Sequence, residues 1–337
     1  MTGVPASFVH SLLDAAPRLA SLHVDVVCDT LSDAVALLSR PPLRAHYLHV
    51  GCVQSAGRPL HYAPPFRALF AAVAAQPSLK HLCVDDFTLT SAQLGALVDA
   101  VNTARVEGLD LRGDAADNHA SDDEEDDPLA LEAALEDGHS GFAIAPHLAR
   151  LVAPRADGSA LTLLTIYNSY SRLQFTPELC NALASSRITD LSFGAIGLWD
   201  DIPNALCLMD ALHAHPVITD LRLELEMVND KDDVPTIAAS FARLLSAHTL
   251  TFFSIEDIDL GDALVPVFEA VGTAKGLKGF KCNHATAESE REFSDRGTAA
   301  LLAAATACAS LIELTACWEW DHMPDVVAAV AVAAARA

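Results

Sequence analysis

One short apolar pattern occurs ten times along the chain. Each copy has an apolar residue, two other residues, a second apolar residue, one other residue and a third apolar residue, as in Leu79-Leu82-Val84. The central residues are Leu22, Leu48, Leu82, Leu109, Leu164, Leu191, Leu221, Phe253, Phe280 and Leu314. Successive copies are 26, 34, 27, 55, 27, 30, 32, 27 and 34 residues apart. Such a recurring interval indicates an array in which each unit buries its apolar side against its neighbours.

The pattern and the segments between its copies predict alternating strands and helices. The apolar alternation within each copy is typical of a strand with one buried face. Several intervening segments begin with Pro, which suits the first turn of a helix, and we expect Ser91 and Thr176 to be N-caps. The predicted helices are Pro65–Ala75, Ala92–Val101, Pro203–His213, Pro235–Ala247 and Thr298–Cys308.

These elements predict an α/β fold made by a single array over residues 1–337. Strands joined through helices pair in parallel and with right-handed crossovers. Because helices are bulkier than strands, we expect a right-handed α/β solenoid of about 10–11 repeats, with a concave parallel sheet and convex helices. Pro5–Ala16 has the pattern of the helix of a preceding unit, so a longer array, of which this chain is a fragment, stays open.

Two stretches carry a family resemblance. Arg296–Ala305 (RGTAALLAAA) is followed by Ser310–Leu314 (SLIEL), and Pro216–Leu223 reads PVITDLRL. These stretches resemble the leucine-rich repeat superfamily, in its ribonuclease-inhibitor-like branch, and the resemblance covers about residues 18–337. It implies a horseshoe that binds proteins. The family usually has Asn or Cys three residues after the third apolar position, where this chain has residues such as Val27 and Glu226. The turns after the strands must therefore satisfy their backbone groups in another way.

The excess of acidic residues limits the classes of molecule that this chain is expected to bind. The chain has 337 residues, with 21 Lys and Arg against 45 Asp and Glu, and a formal net charge of −24. Affinity for nucleic acids and anionic membranes depends on basic residues, so neither is an expected partner. The N-terminal Met1–Arg18 lacks the features of a signal peptide, and the eight cysteines show no C-x-x-C spacing. We therefore expect a cytoplasmic protein.

The 55-residue step contains an acidic segment, residues 114–128, with six consecutive carboxylates at Asp122–Asp127. The length of this step indicates either that one copy of the apolar pattern has been lost or that a segment has been inserted. Because like charges repel, we predict that the segment is a disordered, solvated insertion. Two alternatives are an acidic bait for a basic partner and phosphorylation of Ser121. Pro128–Asp137 and Ile144–Val152 are predicted short helices, the second being the outer helix of the interrupted repeat.

The residues between the apolar positions are predicted to face the concave side and to contact a partner. In the C-terminal half they form a mixed-charge strip with aromatic anchors, and Arg and aromatic residues dominate binding hot spots. The predicted binding residues are His23, His49, His81, Asp85, Asp110, Arg112, Tyr167, Arg222, Glu224, Phe252, Glu256 and Lys281.

The histidines and aspartates of the N-terminal third are also metal-ligand types. However, ligands spread across flat parallel strands rarely complete a tetrahedron, and no short-range motif supports a metal site. We therefore interpret His23, His49, His81, Asp85 and Asp110 as part of a pH-sensitive polar patch, and we expect neither a metal nor another cofactor.

The sequence has no G-x-S-x-G, H-E-x-x-H or Walker-type motif. We therefore predict a non-catalytic scaffold that binds a protein partner with a basic or mixed-charge surface, on the concave face and its rims. One alternative is a GTPase-activating protein similar to the Ran GTPase activator, which also has this architecture and an acidic segment. A second is a fragment of a ubiquitin-ligase substrate receptor.

Overall fold

A computed structural model gives the fold. It describes residues 4–16, 22–28, 31–40, 43–50, 65–85, 91–113, 141–168, 175–195, 202–224, 233–247, 249–256, 260–283 and 294–317. Over these residues the chain is an α/β protein in which eleven strands of an open parallel sheet alternate with helices. The order of the strands in the sheet is their order in the sequence. None of the described helices combines the length and the apolar character that crossing a bilayer requires.

The chain divides into two compact units, Met1–Leu173 and Gln174–Ala337. The strands of unit one are β1 (Val4–Pro5), β2 (Leu22–Cys28), β3 (Leu43–Val50), β4 (His81–Asp85), β5 (Gly108–Gly113) and β6 (Leu163–Asn168). Its helices are α1 (Ala6–Ala15), α2 (Leu31–Leu38), α3 (Pro65–Ala74), α4 (Ser91–Ala104) and α5 (Gly141–Val152). Within this unit, α1 to α4 each pack against the helix that follows.

The second to fifth copies of the apolar pattern lie in register on β3 to β6. Leu48 is opposite Leu82, Leu82 is opposite Leu109, and Leu109 is opposite Leu164. All four side chains are at most 3% exposed. The predicted placement of these copies is confirmed. Because successive side chains of a strand point to opposite faces, the residues between the leucines line the other face of the sheet.

Across the long step between the fourth and fifth copies β5 pairs directly with β6, so no strand lies between these two in the sheet. Helix α5 provides the outer helix predicted at Ile144–Val152. It packs on α4, where Arg150 forms an ion pair with Asp99 and Ser91 hydrogen-bonds to His147. The acidic segment 114–128, with Ser121, and the predicted helix Pro128–Asp137 lie outside the described residues.

The predicted position of the first copy is wrong. Val26 of β2 is opposite Leu48, so the true copy lies four residues later than the one centred on Leu22. The residues Leu22, Val24, Val26 and Cys28 alternate without a break, which makes both placements compatible with the pattern. The pairing buries Val26 and Cys28 completely.

This shift also corrects the prediction for His23. In the sheet His23 is opposite Arg44, whereas Val27 takes the place beside His49. His23 is therefore not the neighbour of His49. The two-residue strand β1, which pairs with β2 through Val4 and Pro5, is a strand that the repeat pattern did not predict.

Unit two repeats the same arrangement. Its strands are β7 (Asp190–Ala195), β8 (Asp220–Glu224), β9 (Phe252–Glu256), β10 (Gly279–Asn283) and β11 (Glu313–Cys317). Its helices are α6 (Pro177–Ala184), α7 (Ile202–Ala214), α8 (Val234–Ala247), α9 (Val265–Thr273) and α10 (Asp295–Ala307), with a 3₁₀ helix at Gly261–Leu264.

The last five copies of the pattern are also in register, since Leu191, Leu221, Phe253, Phe280 and Leu314 occupy equivalent positions on β7 to β11. Aromatic rings join the helices to this sheet. The ring centroids of Phe241 on α8 and Phe253 are 6.2 Å apart, and those of Phe268 on α9 and Phe280 are also 6.2 Å apart. The core of unit two therefore lies between its sheet and its helices.

All five predicted helices are present, at α3, α4, α7, α8 and α10. Thr176 caps α6 as predicted, because its hydroxyl accepts a hydrogen bond from the backbone N–H of Leu179 at 3.3 Å. Ser91 is the first residue of α4, and its hydroxyl lies 3.1 Å from Nε2 of His147.

Backbone hydrogen bonds join consecutive repeats just before the strands β5, β6 and β8 to β11. The carbonyl of Lys80 accepts from the N–H groups of both Glu107 and Gly108, at 2.8 and 2.9 Å. The same double acceptance recurs along each unit, at the carbonyls of Glu107, Thr189, Thr219, Thr251 and Lys278. At the carbonyls of Glu107, Thr189 and Thr219, the hydroxyls of Thr162, Thr219 and Thr251 donate to the same oxygen as well. The turns that follow the strands lie mostly outside the described residues, so the expectation about their backbone groups stays untested.

Buried side chains add further hydrogen bonds between repeats. Gln76 donates to the carbonyl of Leu38 at 2.8 Å. Asn204 on α7 accepts from the N–H of Phe175 at 2.6 Å. Both side chains belong to residues that are less than 9% exposed, so each satisfies a backbone group that water does not reach.

Candidate binding surfaces

The sheet face opposite the buried leucines carries the polar residues predicted for it. In unit one, Cys83, Asp110 and Thr165 occupy one row across β4, β5 and β6. In unit two the equivalent row is Ser192, Arg222, Ser254, Lys281 and Thr315. Strands in a sheet are about 4.8 Å apart, so residues of one row are close neighbours. Each unit therefore presents a candidate surface of its own.

The candidate surface of unit one, called the unit-one patch, consists of Tyr47, His81, Asp110, Arg112 and Tyr167. The rings of Tyr47 and His81 are tilted by 44° with centroids 5.0 Å apart. The imidazole of His81 lies over Gly108, where an added Cβ would come within 2.6 Å of Nδ1. Glycine at the start of β5 thus provides the space in which the ring lies.

Asp110 is at the centre of the patch. Its Oδ2 lies 3.4 Å from Nε2 of His81 and 3.8 Å from Nη2 of Arg112, and its side chain is 13% exposed. Burial by itself raises the pKa of this carboxyl, but the hydrogen bonds from His81 and Thr165 and the charge of Arg112 outweigh it, so the pKa is lowered. The other oxygen, Oδ1, is buried without a hydrogen-bond partner among the described residues. Asp110 is consequently a buried, ionised carboxylate.

Tyr47 stays neutral at physiological pH. Burial, followed by the nearby Cys83 and Asp110, raises the pKa of Tyr47 to about 12. On the other side, the guanidinium carbon of Arg112 lies 5.9 Å from the ring centroid of Tyr167. The patch thus combines an exposed arginine on an aromatic ring with a histidine that faces a buried anion.

The candidate surface of unit two, called the unit-two strip, consists of Asp190, Arg222, Glu224, Phe252 and Lys281. Nη1 of Arg222 donates to Oδ1 of Asp190 at 2.7 Å, and its guanidinium carbon lies 4.9 Å from the ring centroid of Phe252. The side chain of Arg222 is 35% exposed, and that of Asp190 is 30% exposed. A carboxylate and an aromatic ring therefore hold a partly exposed arginine in one orientation.

A glycine also positions the aromatic ring of this strip. An added Cβ at Gly279 would lie 2.5 Å from the ring of Phe252, so the ring covers the start of β10. In both units, then, a ring lies over the first residue of the next strand, and that residue is glycine. The strip also holds Glu224, which is exposed, and Lys281, which is half-buried.

The structure brings together some predicted site residues and not others. It gathers His81, Asp110, Arg112 and Tyr167 in unit one, and Arg222 with Phe252 in unit two. His49 is half-buried opposite Cys83. The strands β2, β4 and β9 contain His23, Asp85 and Glu256, whose side chains lie outside the described part of the chain.

Sequence reasoning did not select Tyr47 or Asp190 as site residues. Tyr47 lies two residues before His49, and Asp190 lies two residues before Ser192. Each is on a strand next to one that carries a site residue; Tyr47, for example, is opposite His81 in the sheet. That register was the signal that could have found them. In the described residues, no group of three or more His, Cys, Asp or Glu side chains is arranged to hold a metal ion.

Comparison with known proteins gives no family for the chain. A scan against protein-family models and a search among curated proteins both find no match.

Proposed function

We propose that this protein is a scaffold without catalytic activity, which binds a protein partner through the unit-two strip. The observation that carries the proposal is the orientation of Arg222 by Asp190 and Phe252. Arginine and aromatic residues are enriched among the residues that contribute most to binding. An arginine that is already oriented loses less conformational entropy when a partner docks.

The partner that suits this strip has a basic or mixed-charge surface. Glu224 is exposed beside the arginine, and the chain as a whole carries a formal net charge of −24. Such a field accelerates encounters with positively charged proteins and disfavours acidic ones. We further propose that the array is a right-handed, leucine-rich-repeat-like solenoid of the ribonuclease-inhibitor-like type, with the strip on its concave face. Parallel strands in chain order and repeats of 27–34 residues in unit two support this assignment.

Charge reversal tests the proposal. Full-length protein and its Arg222→Glu variant are used as baits in a native lysate, and the dissociation constants of the captured proteins are then measured with purified components. Loss of a hot-spot arginine costs at least about 2 kcal/mol, so the affinity should fall about 30-fold.

Arg243 offers a matched control. It pairs with Asp210 between α8 and α7, just as Arg222 pairs with Asp190, but it lies on the helices and its side chain is 50% exposed. Arg243→Glu should bind the same partner with unchanged affinity. Equal affinities of wild type and Arg222→Glu would refute the unit-two strip as the binding surface.

A further inference from the structure

Two cysteines lie side by side on neighbouring helices of unit two. Cys180 is on α6 and Cys207 is on α7, and each comes sixteen residues after the central residue of its repeat, since 180 − 164 = 16 and 207 − 191 = 16. Equivalent positions in consecutive repeats are neighbours when the helices stack, and α6 packs against α7. The sulfur of Cys180 is 3.5 Å from the carbonyl oxygen of Cys207.

The thiol of Cys180 therefore contacts the residue that carries the second thiol. The two cysteines differ in exposure, since Cys207 is exposed and Cys180 is half-buried. Burial, then the neighbouring Cys207 and Asp210, raises the pKa of Cys180 to about 11. At neutral pH Cys180 is therefore a protonated thiol, and an oxidant in solution meets Cys207 first.

The other cysteines whose side chains the structure describes lack this combination. Cys28, Cys83, Cys282 and Cys308 are all buried. Burial also raises the pKa of Cys282 to about 12, which keeps its thiol protonated and unreactive. Among the six cysteines whose side chains the structure describes, exposure of one thiol and contact with a second cysteine coincide at Cys180 and Cys207.

We propose that Cys180 and Cys207 form a reversible oxidation site, in which a peroxide converts the two thiols into a disulfide between α6 and α7. The thiolate of Cys207 attacks hydrogen peroxide, the O–O bond breaks, and Cys207 becomes a sulfenic acid while hydroxide leaves. The sulfur of Cys180 then attacks the sulfenic sulfur. The S–S bond forms, the S–O bond breaks, and the hydroxyl group leaves with the thiol proton as water. A dithiol reductant reverses the reaction.

The sequence makes the product easy to identify. Trypsin cuts after Arg172, Arg187 and Arg222, so Cys180 and Cys207 fall on the adjacent peptides 173–187 and 188–222. Purified full-length protein is treated with hydrogen peroxide, blocked, digested without reduction and analysed by mass spectrometry. The expected product is a cross-linked pair of these two peptides that disappears after treatment with dithiothreitol.

Single variants separate the steps. In Cys180→Ser the sulfenic acid of Cys207 has no second thiol to react with, so labelling of peptide 188–222 by dimedone should increase over wild type. In Cys207→Ser, Cys180 on peptide 173–187 should remain a free thiol. The control Cys308→Ser should form the cross-link as wild type does.

A mixture of isotopically labelled and unlabelled protein shows whether the bond is intramolecular. Cross-linked pairs that carry one label only, light or heavy, support the proposal. Mixed pairs, or overoxidation of Cys207 with no cross-link to Cys180, would overturn it.

Discussion

Removal of the Asn204 side chain should destabilise unit two measurably. Asn204 is 7% exposed, and its Oδ1 accepts the N–H of Phe175 at 2.6 Å, next to the residue that caps α6. Asn204→Ala leaves that N–H buried without an acceptor, which costs about 1–3 kcal/mol. Unit two has 337 − 174 + 1 = 164 residues, and for a domain of this size each kcal/mol lowers the melting temperature by about 2–4 °C.

Urea unfolding followed by circular dichroism measures the change. The midpoint should fall while the slope of the transition stays the same, because the variant exposes the same surface when it unfolds. Ser185→Ala is the control, since its exposed hydroxyl bonds to the carbonyl of Asn181 at a helix end and its loss should change stability by at most about 0.5 kcal/mol. Coinciding curves for the two variants would show that the buried hydrogen bond contributes nothing to stability.

Three further predictions concern single residues. Phe253→Ala removes a fully buried ring and should lower the free energy of unfolding by about 3–5 kcal/mol, measured by denaturant titration. Gly279→Ala places a methyl group against the ring of Phe252 and should weaken partner binding, whereas Gly276→Ala, whose nearest neighbour atom is 3.7 Å away, should not. Equal binding by the two glycine variants would argue against a fixed ring. Because the pKa of Asp110 is lowered in the folded state, its stabilising contribution is present above its unfolded-state pKa of about 3.9 and disappears as the pH falls through the folded-state value. The difference in melting temperature between wild type and Asp110→Asn should therefore shrink on acidification, and a constant difference would contradict this.

Apolar spacing predicted nine of the ten copies correctly, and the reason is the two-residue period of a strand. A slip by one residue would turn Leu82, Leu109 or Leu164 to the wrong face, so only one placement buries them all. In β2 the alternation continues through Leu22, Val24 and Val26, and a slip by an even number of residues keeps the apolar side chains on the same face. The pattern alone could not exclude that slip, and the predicted position of His23 beside His49 was therefore wrong as well.

The sequence predicts which residues share a row across each candidate surface, but it does not predict which of their side chains contact each other. The row that holds Arg222 and Lys281 follows from strand register. The direction of the Arg222 side chain depends on Asp190 and on the ring of Phe252, and that ring in turn depends on the missing side chain at Gly279. Such three-residue arrangements depend on side-chain conformations, which a one-dimensional pattern does not encode.

The double acceptance by the carbonyls of Lys80, Thr219 and Thr251 has a consequence for how this chain tolerates change. The two amide donors of such a joint place no demand on side-chain identity, except that they cannot belong to proline. Segments of different length can be accommodated between two such joints without disturbing the next strand, as the 55-residue interval shows. Repeats in this protein can therefore diverge in sequence and acquire insertions, while the backbone hydrogen bonds that join them stay the same.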